Sequence, residues 1–218
     1  MDGRKPQGQS SGKSGKRKWI RVLFFPIAIL ALWFVAMVFL DIPIQKYFAD
    51  HKLTRFIKET AVFFDCYNNE VPLILLAATA AISIGANRWR MIGHLILGLV
   101  ITSGLVWAGK LLVSRQRPKW FTGSDWYSTF TGFFPGVSNM KFQSFPSGDA
   151  AIAFAVSFIL VHYFPKHRYI LYILAAGCAA SRVVLKLHYL SDVIMGAAVG
   201  YLAAKIVLYL TAPSGGKG

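Results

Sequence analysis

Ser181-Arg182-Val183-Val184-Leu185-Lys186-Leu187-His188-Tyr189-Leu190-Ser191-Asp192 closes one apolar run and opens the next. Four ionisable side chains, Arg182, Lys186, His188 and Asp192, fall where a membrane segment would be wholly apolar. Charges inside or beside membrane segments are costly and mark functional sites by default. His188 and Asp192 are four apart, so a continuous helix would put them on one face. There the carboxylate could hold one imidazole nitrogen and leave the other free to act. The plain alternative is a helix end with snorkelling Arg and Lys and a satisfied histidine.

The surrounding composition decides the setting. Hydrophobic residues make up 55% of the 218-residue chain and charged residues only 15%, less charge than soluble domains carry. The apolar residues come in long blocks, which predicts one integral membrane domain. Net charge is +15, and its placement argues against nucleic acid as the partner. Arg4, Lys5, Lys13, Lys16, Arg17, Lys18 and Arg21 crowd the start of the chain, ahead of the first apolar block. That is a juxtamembrane basic tail facing cytoplasm and anionic headgroups; no folded basic domain accompanies it. Cys66 and Cys178 are the only cysteines. No disulfide is expected, and no spacing suggests a zinc site.

Taken in order, residues 1–19 form a disordered, basic, cytoplasmic tail. Residues 20–40 make a first span, too long for a signal-peptide core and read as retained. Residues 44–64 mix charge with apolar residues at helical spacing and predict an amphipathic helix in the interface. Further spans are expected at 71–86, 91–109, 147–163, 169–187 and 192–210, and 211–218 is a flexible tail. The small residues Gly93, Gly98, Ser103, Gly104 and Gly109 suit close helix packing. Residues 110–145 carry Trp120, Phe121, Trp126, Tyr127, Phe130, Phe133, Phe134, Phe142 and Phe145. They read as an aromatic belt at headgroup depth or the wall of a lipid slot. The expected fold is all-α, a six-transmembrane-helix bundle over 20–210.

Six spans put both termini on one side. Arg88, Arg90, Lys166 and Arg168 then share the cytoplasmic face with the basic tail, as the positive-inside rule asks. Lys110 to Pro118, Pro146 to Asp149 and Ser181 to Asp192 fall together on the opposite face. Lys110, Arg117 and Arg182 are cations suited to phosphate oxygens. Ser147 and Gly148 open a helix, where free backbone N–H groups favour anions; Ser147 could equally be only an N-cap. His188 would supply a nucleophile or base oriented by Asp192. Such a site wants a phosphoryl group, whose transfer needs charge neutralisation and positioning.

These three motifs resemble the type 2 phosphatidic acid phosphatase superfamily, which shares its core with vanadium haloperoxidases and bacterial acid phosphatases. The family pattern is Lys, six residues, Arg-Pro; Pro-Ser-Gly-His; then Ser-Arg, five residues, His, three residues, Asp. Here stand Lys110 and Arg117-Pro118; Pro146-Ser147-Gly148 followed by Asp149; and Ser181-Arg182, His188 and Asp192. The resemblance implies that His188 attacks phosphorus to give a phosphohistidine and that Asp192 orients and charges its ring. It further implies that Lys110, Arg117, Ser147, Gly148 and Arg182 bind the phosphoryl oxygens, and that neither metal nor cofactor is needed. Short members are typically bacterial, with the site on the periplasmic face of the inner membrane.

Asp149 departs from the pattern, because the family has a leaving-group-protonating His there. Either Asp149 is a carboxylic acid doing the same work, or the leaving group needs little protonation, as with a lipid diphosphate or a sugar 1-phosphate, or the site only binds. The expected function is a lipid phosphatase acting on a polyprenyl diphosphate, lipid A 1-phosphate, phosphatidylglycerol phosphate or phosphatidic acid. A lipid-to-lipid phosphotransferase and a non-catalytic lipid-phosphate binding or transport protein are the alternatives.

Overall fold

A computed structural model of the chain describes residues 26–65, 78, 82, 85–134 and 139–212. The expected tail 1–19, the opening of the first span, nearly all of the second span at 71–86, Cys66 and the end of the chain lie outside the described residues. Six longer helices run through the rest. They are α1 (Pro26–Asp50), α2 (Arg55–Asp65), α3 (Arg88–Leu112), α4 (Gly148–Tyr163), α5 (Arg168–Val184) and α6 (Leu190–Leu210). Helices α1, α3 and α6 are long and apolar enough to cross a membrane. At 1.5 Å per residue, the 16-residue α4 reaches only about 24 Å, short of the roughly 30 Å hydrocarbon core.

Two boundaries differ from the sequence reading, and the first difference traces to charge. The first span does not stop at residue 40. It passes through a π-helical turn, Ala36–Leu40, and continues to Asp50. Asp41 does not end it, because its carboxylate is buried against Arg115 at 2.8 Å. A paired charge can stay inside where an unpaired one could not. Consequently, residues 44–64 are not one interfacial helix. Their first part prolongs α1, the chain breaks at residues 51–54, and α2 is a separate helix packed on α5. There the Phe64 ring lies so close to Gly177 that a side chain at Gly177 would collide with it.

Helix α4 is the hub, with α3, α5 and α6 packed around it. The seams are built from small residues. Ala153, Ala175 and Cys178 form one buried cluster, and Ala150, Ala179 and Val193 another. A Cβ on Gly196 or Gly200 of α6 would strike the carbonyl oxygen of Ser147 or Ala151 on α4. Such close backbone approach suits helices that cannot rely on hydrophobic burial within lipid. Larger side chains, Met91, Leu95, Ile159, Leu160 and Leu171, fill the far end. Outward-facing Ile96, Val100, Trp107, Ile173 and Leu202 are exposed, the apolar exterior expected of a bundle in a bilayer.

The fold is not wholly helical. Within the long connection, β1 (Ser114–Arg115) pairs antiparallel with β2 (Phe130–Gly132), matching Ser114 to Gly132 and Arg115 to Phe130. The aromatics of this connection divide. Phe121 is buried with Ile42 and Tyr189, and Trp126 packs against that cluster; Trp120, Tyr127, Phe133 and Phe134 stay exposed. Phe121 and Trp126 of the expected belt are therefore core for the loop itself.

Candidate active site

Four helix ends meet at one end of the bundle: the C-termini of α3 and α5 and the N-termini of α4 and α6. Helix α4 starts there because Ser147 is a working N-cap, its Oγ accepting from the Ala150 N–H at 3.4 Å. The Ser147 N–H in turn donates to the Asp192 carbonyl at 3.0 Å, tying the starts of α4 and α6 together. Gly109 leaves space for Pro146, whose Cδ would lie 2.7 Å from a Cβ at that position. The Lys110 ammonium reaches to 3.9 Å from where a Gly148 Cβ would stand. One lysine thus faces the open N–H groups of a helix start, an arrangement that favours anions.

Helix α5 ends in a sharp reversal. Leu185 N–H donates to the Ser181 carbonyl, and the N–H groups of Leu187 and His188 both donate to the Arg182 carbonyl. Lys186 takes a left-handed conformation, φ 57°, at a place where glycine is the usual helix terminator. This reversal separates His188 from α6, which begins at Leu190. His188 and Asp192 therefore do not share a helix face as their spacing suggested. Asp192 lies in the first turn of α6, where its Oδ2 accepts the Tyr189 N–H at 3.0 Å.

The consequence for the imidazole is specific. His188 Nδ1 lies 2.6 Å from the Ser144 carbonyl oxygen and 3.9 Å from Asp192 Oδ2. A carbonyl only accepts, so Nδ1 carries the proton and Nε2 the lone pair. Asp192 reaches the ring through Ser144, whose hydroxyl donates to Asp192 Oδ2 at 2.6 Å. The expected direct carboxylate–imidazole bond is replaced by a serine-bridged one, because Asp192 Oδ2 already serves the helix start and the Ser144 hydroxyl. His188 is fully buried. Burial lowers its pKa below the ordinary histidine range; Asp192 opposes that shift and Arg117 adds to it. The ring is held neutral, the form a nucleophile needs.

Behind Asp192 stands a network the sequence reading did not single out. Arg115, on β1, is wholly buried. Its Nη1 donates to Asp192 Oδ1 at 2.6 Å and to Ser191 Oγ at 2.7 Å, its Nη2 to Asp41 Oδ2 at 2.8 Å, and its Nε to Thr129 Oγ1 at 3.0 Å. The guanidinium also stacks over the Tyr189 ring at 4.1 Å. Asp41 accepts the Ser191 N–H at 2.9 Å. Every charge here has several partners, as buried charges require. Asp41 was detectable as an acid within an apolar helix, the usual mark of a functional ionisable group. Arg115 lay in the Ser-Arg-Gln-Arg-Pro run beside Arg117. Ser144 had no sequence signal, since its carbonyl does part of the work.

Around His188 stand the predicted cations. Arg117 is half-buried, and its Nε has no hydrogen-bond partner among the described residues, a donor placed for an absent acceptor. Its pKa is lowered by burial and by Arg182, while Asp149 and Asp192 work against that shift. Arg182, nearly buried, pairs with Asp65 at the end of α2 (Nη1 to Oδ1, 2.8 Å) and with Asp149 in the first turn of α4 (Nε to Oδ2, 3.1 Å). Asp65 was not foreseen. Lys110, Arg117, Ser147, Gly148, Asp149, Arg182, His188 and Asp192 thus gather at one end of the bundle. The basic residues Arg88, Arg90, Lys166 and Arg168 lie at the other, where Arg90 holds the Thr211 carbonyl at 2.8 Å. Among the described residues no cluster of three or more His, Cys, Asp or Glu could hold a metal. Cys178 is a free, buried thiol.

The sequence model of the PAP2 superfamily matches residues 89–215, more than half of the chain and all three motifs. The chain belongs to the PAP2 superfamily. Two curated relatives, lipid A 1-phosphatases of Rhizobium etli and Rhizobium johnstonii, are each 35% identical to it over 114 residues. That alignment covers 50% of this chain and 46% and 43% of theirs, so the PAP2 chain matches less than half of each relative's length. Two solved structures share the fold. LpxE from Aquifex aeolicus has a TM-score of 0.61 and 23% identity, covering 78% of this chain and 95% of its own. A PAP2-type phosphatidylglycerolphosphate phosphatase from Bacillus subtilis has a TM-score of 0.54 and 18% identity, covering 85% and 94%. Helix α4, the hub of the bundle, carries the second motif at the end where the first and third also lie.

Proposed function

We propose that this PAP2 protein is an integral-membrane lipid phosphatase that removes phosphate from a lipid phosphomonoester or diphosphate through a phosphohistidine at His188. One observation carries the reading. A neutral imidazole with its Nδ1 tied to a carbonyl stands among Lys110, Arg117 and Arg182, and Arg117 has an unpartnered donor. In the reaction Nε2 attacks phosphorus in line with the departing lipid oxygen. Lys110, Arg117, Arg182 and the N–H groups following Ser147 neutralise the three equatorial oxygens. Asp192, through Ser144, stabilises the charge that the ring gains on forming the N–P bond. Water then attacks phosphorus, and the N–P electrons return to His188.

The bundle is read as six spans with an accessory helix α2 against α5, in a bacterial inner membrane. Both termini are cytoplasmic and the site is periplasmic, which puts the basic end of the bundle on the side that the positive-inside rule requires. No metal enters the scheme, because three cations and a helix start supply the charge a metal would. The names of the Rhizobium relatives make lipid A 1-phosphate the first substrate to try.

Purified protein should release phosphate from at least one of lipid A, a polyprenyl diphosphate, phosphatidylglycerol phosphate or phosphatidic acid. His188→Ala should abolish release while the variant still purifies as a folded protein, and EDTA should have no effect. Undiminished release by His188→Ala would remove the nucleophile, and strong EDTA inhibition would contradict the metal-free scheme. Transfer of phosphate to a second lipid rather than to water would favour the phosphotransferase alternative.

A further inference from the structure

Attack by His188 solves half of the reaction. The oxygen that departs from phosphorus must either receive a proton or leave as an anion. Among the described residues around the site, the side chains able to give one are few. Asp192 accepts from Arg115, Ser144 and Tyr189. Arg117 and Arg182 are guanidiniums that do not release protons in proteins. Lys110 stands over Gly148 at the helix start, where its charge serves the phosphate oxygens. Asp149 is the remaining candidate by position, one residue past Gly148. Its Oδ2, however, faces Arg182 Nε at 3.1 Å. That ion pair commits the oxygen to holding the Arg182 guanidinium.

The pairing is part of a built clamp. Arg182 lies between two carboxylates from two different helices, with Asp65 on Nη1 at 2.8 Å and Asp149 on Nε at 3.1 Å. Helix α2, which brings Asp65, is seated on α5 by the close approach of Phe64 to Gly177. Ion pairs on two sides restrain where the guanidinium can go, which matters for a group that must meet phosphate oxygens.

We infer that Asp149 is a positioning residue for Arg182 and not a proton donor, so that the site selects phosphates whose leaving group departs as a stable anion. Diphosphates are of that class, anomeric sugar 1-phosphates approach it because the ring oxygen withdraws charge from the leaving oxygen, and phosphate monoesters of simple alcohols are not. In the first step the N–P bond forms from the Nε2 lone pair as the P–O bond breaks. The leaving oxygen keeps the bonding pair and takes a proton from water after departure. This inference rests on His188 being the nucleophile, and it narrows the lipid phosphatase reading to a substrate class.

The test compares three probes in detergent: a long-chain glycosyl 1-phosphate, dodecyl diphosphate and dodecyl monophosphate. General acid catalysis is worth about 10²–10⁴-fold, so wild type should favour the first two over the monophosphate by about 10²-fold or more. Asp149→Asn should lower all rates by a common factor and keep the ratio, because it loosens Arg182 without touching the leaving oxygen. Asp149→His should raise the monophosphate rate by roughly 10-fold or more and shrink the ratio. Equal wild-type rates on all three probes would overturn the inference, as would a loss in Asp149→Asn confined to the monophosphate. The wild-type ratio decides even if a variant fails to fold. Phosphate release that persists in His188→Ala would instead sink the nucleophile reading, so the two failures are distinguishable.

Discussion

At the scale of single residues the chemistry turns on which partner holds His188 Nδ1. A carbonyl acceptor fixes the tautomer, and burial keeps the ring neutral. The depressed pKa has a consequence for stability. Between the lowered folded value and the ordinary value near 6.5, the unfolded chain binds a proton that the folded protein refuses. That contribution is fully present above about pH 6.5 and is lost as pH falls through the folded value. The imidazole resonance missing from His188→Ala should therefore show no titration near 6.5 when followed by NMR in detergent micelles. The melting temperature of wild type should fall from pH 6.5 to pH 5 more steeply than that of His188→Asn. A ring titrating at 6.5 or above would mean that Asp192 outweighs burial.

Elements meet at Arg115. It joins α1 through Asp41, α6 through Asp192 and Ser191, and the connection through Thr129. Its side chain and both carboxylates are fully buried. Arg115→Ala leaves two carboxylates without their cation, and removing one partner of a buried pair costs about 3–5 kcal/mol. The variant should unfold at markedly lower denaturant or temperature than wild type. Adding Asp41→Asn should recover part of the loss, because one unpaired charge is then gone. Full additivity of the two changes would show that they do not act through each other. This network also explains what the sequence revealed and what it hid. Motif spacing exposed Lys110, Arg117, Ser147, Arg182, His188 and Asp192, since each is fixed relative to a helix end. The Asp41–Arg115 pair joins residues 74 apart in the chain, and no periodicity reports a partner at that distance. The same gap misplaced the first span's end, because the helix continues past Asp41 with that carboxylate paired to a cation distant in the chain. The spacing of His188 and Asp192 misled for a local reason, a left-handed Lys186 where a continuing helix was the simpler assumption.

For the whole molecule, the arrangement of charge makes a statement about orientation. The site end gathers cations opposite buried carboxylates, whereas the far end carries Arg88, Arg90, Lys166 and Arg168 with little to neutralise them. Uncompensated Lys and Arg in short turns stay in the cytoplasm, so the connection bearing Ser124 should lie outside and the turn bearing Lys166 inside. Both positions are exposed, which makes them fair sites for labelling. In a background with Cys66 and Cys178 changed to Ser, Ser124→Cys in bacterial spheroplasts should react with a membrane-impermeant maleimide. Lys166→Cys should react only after lysis. The reverse pattern would place His188 on the cytoplasmic face, and the substrate would then be a lipid of the inner leaflet.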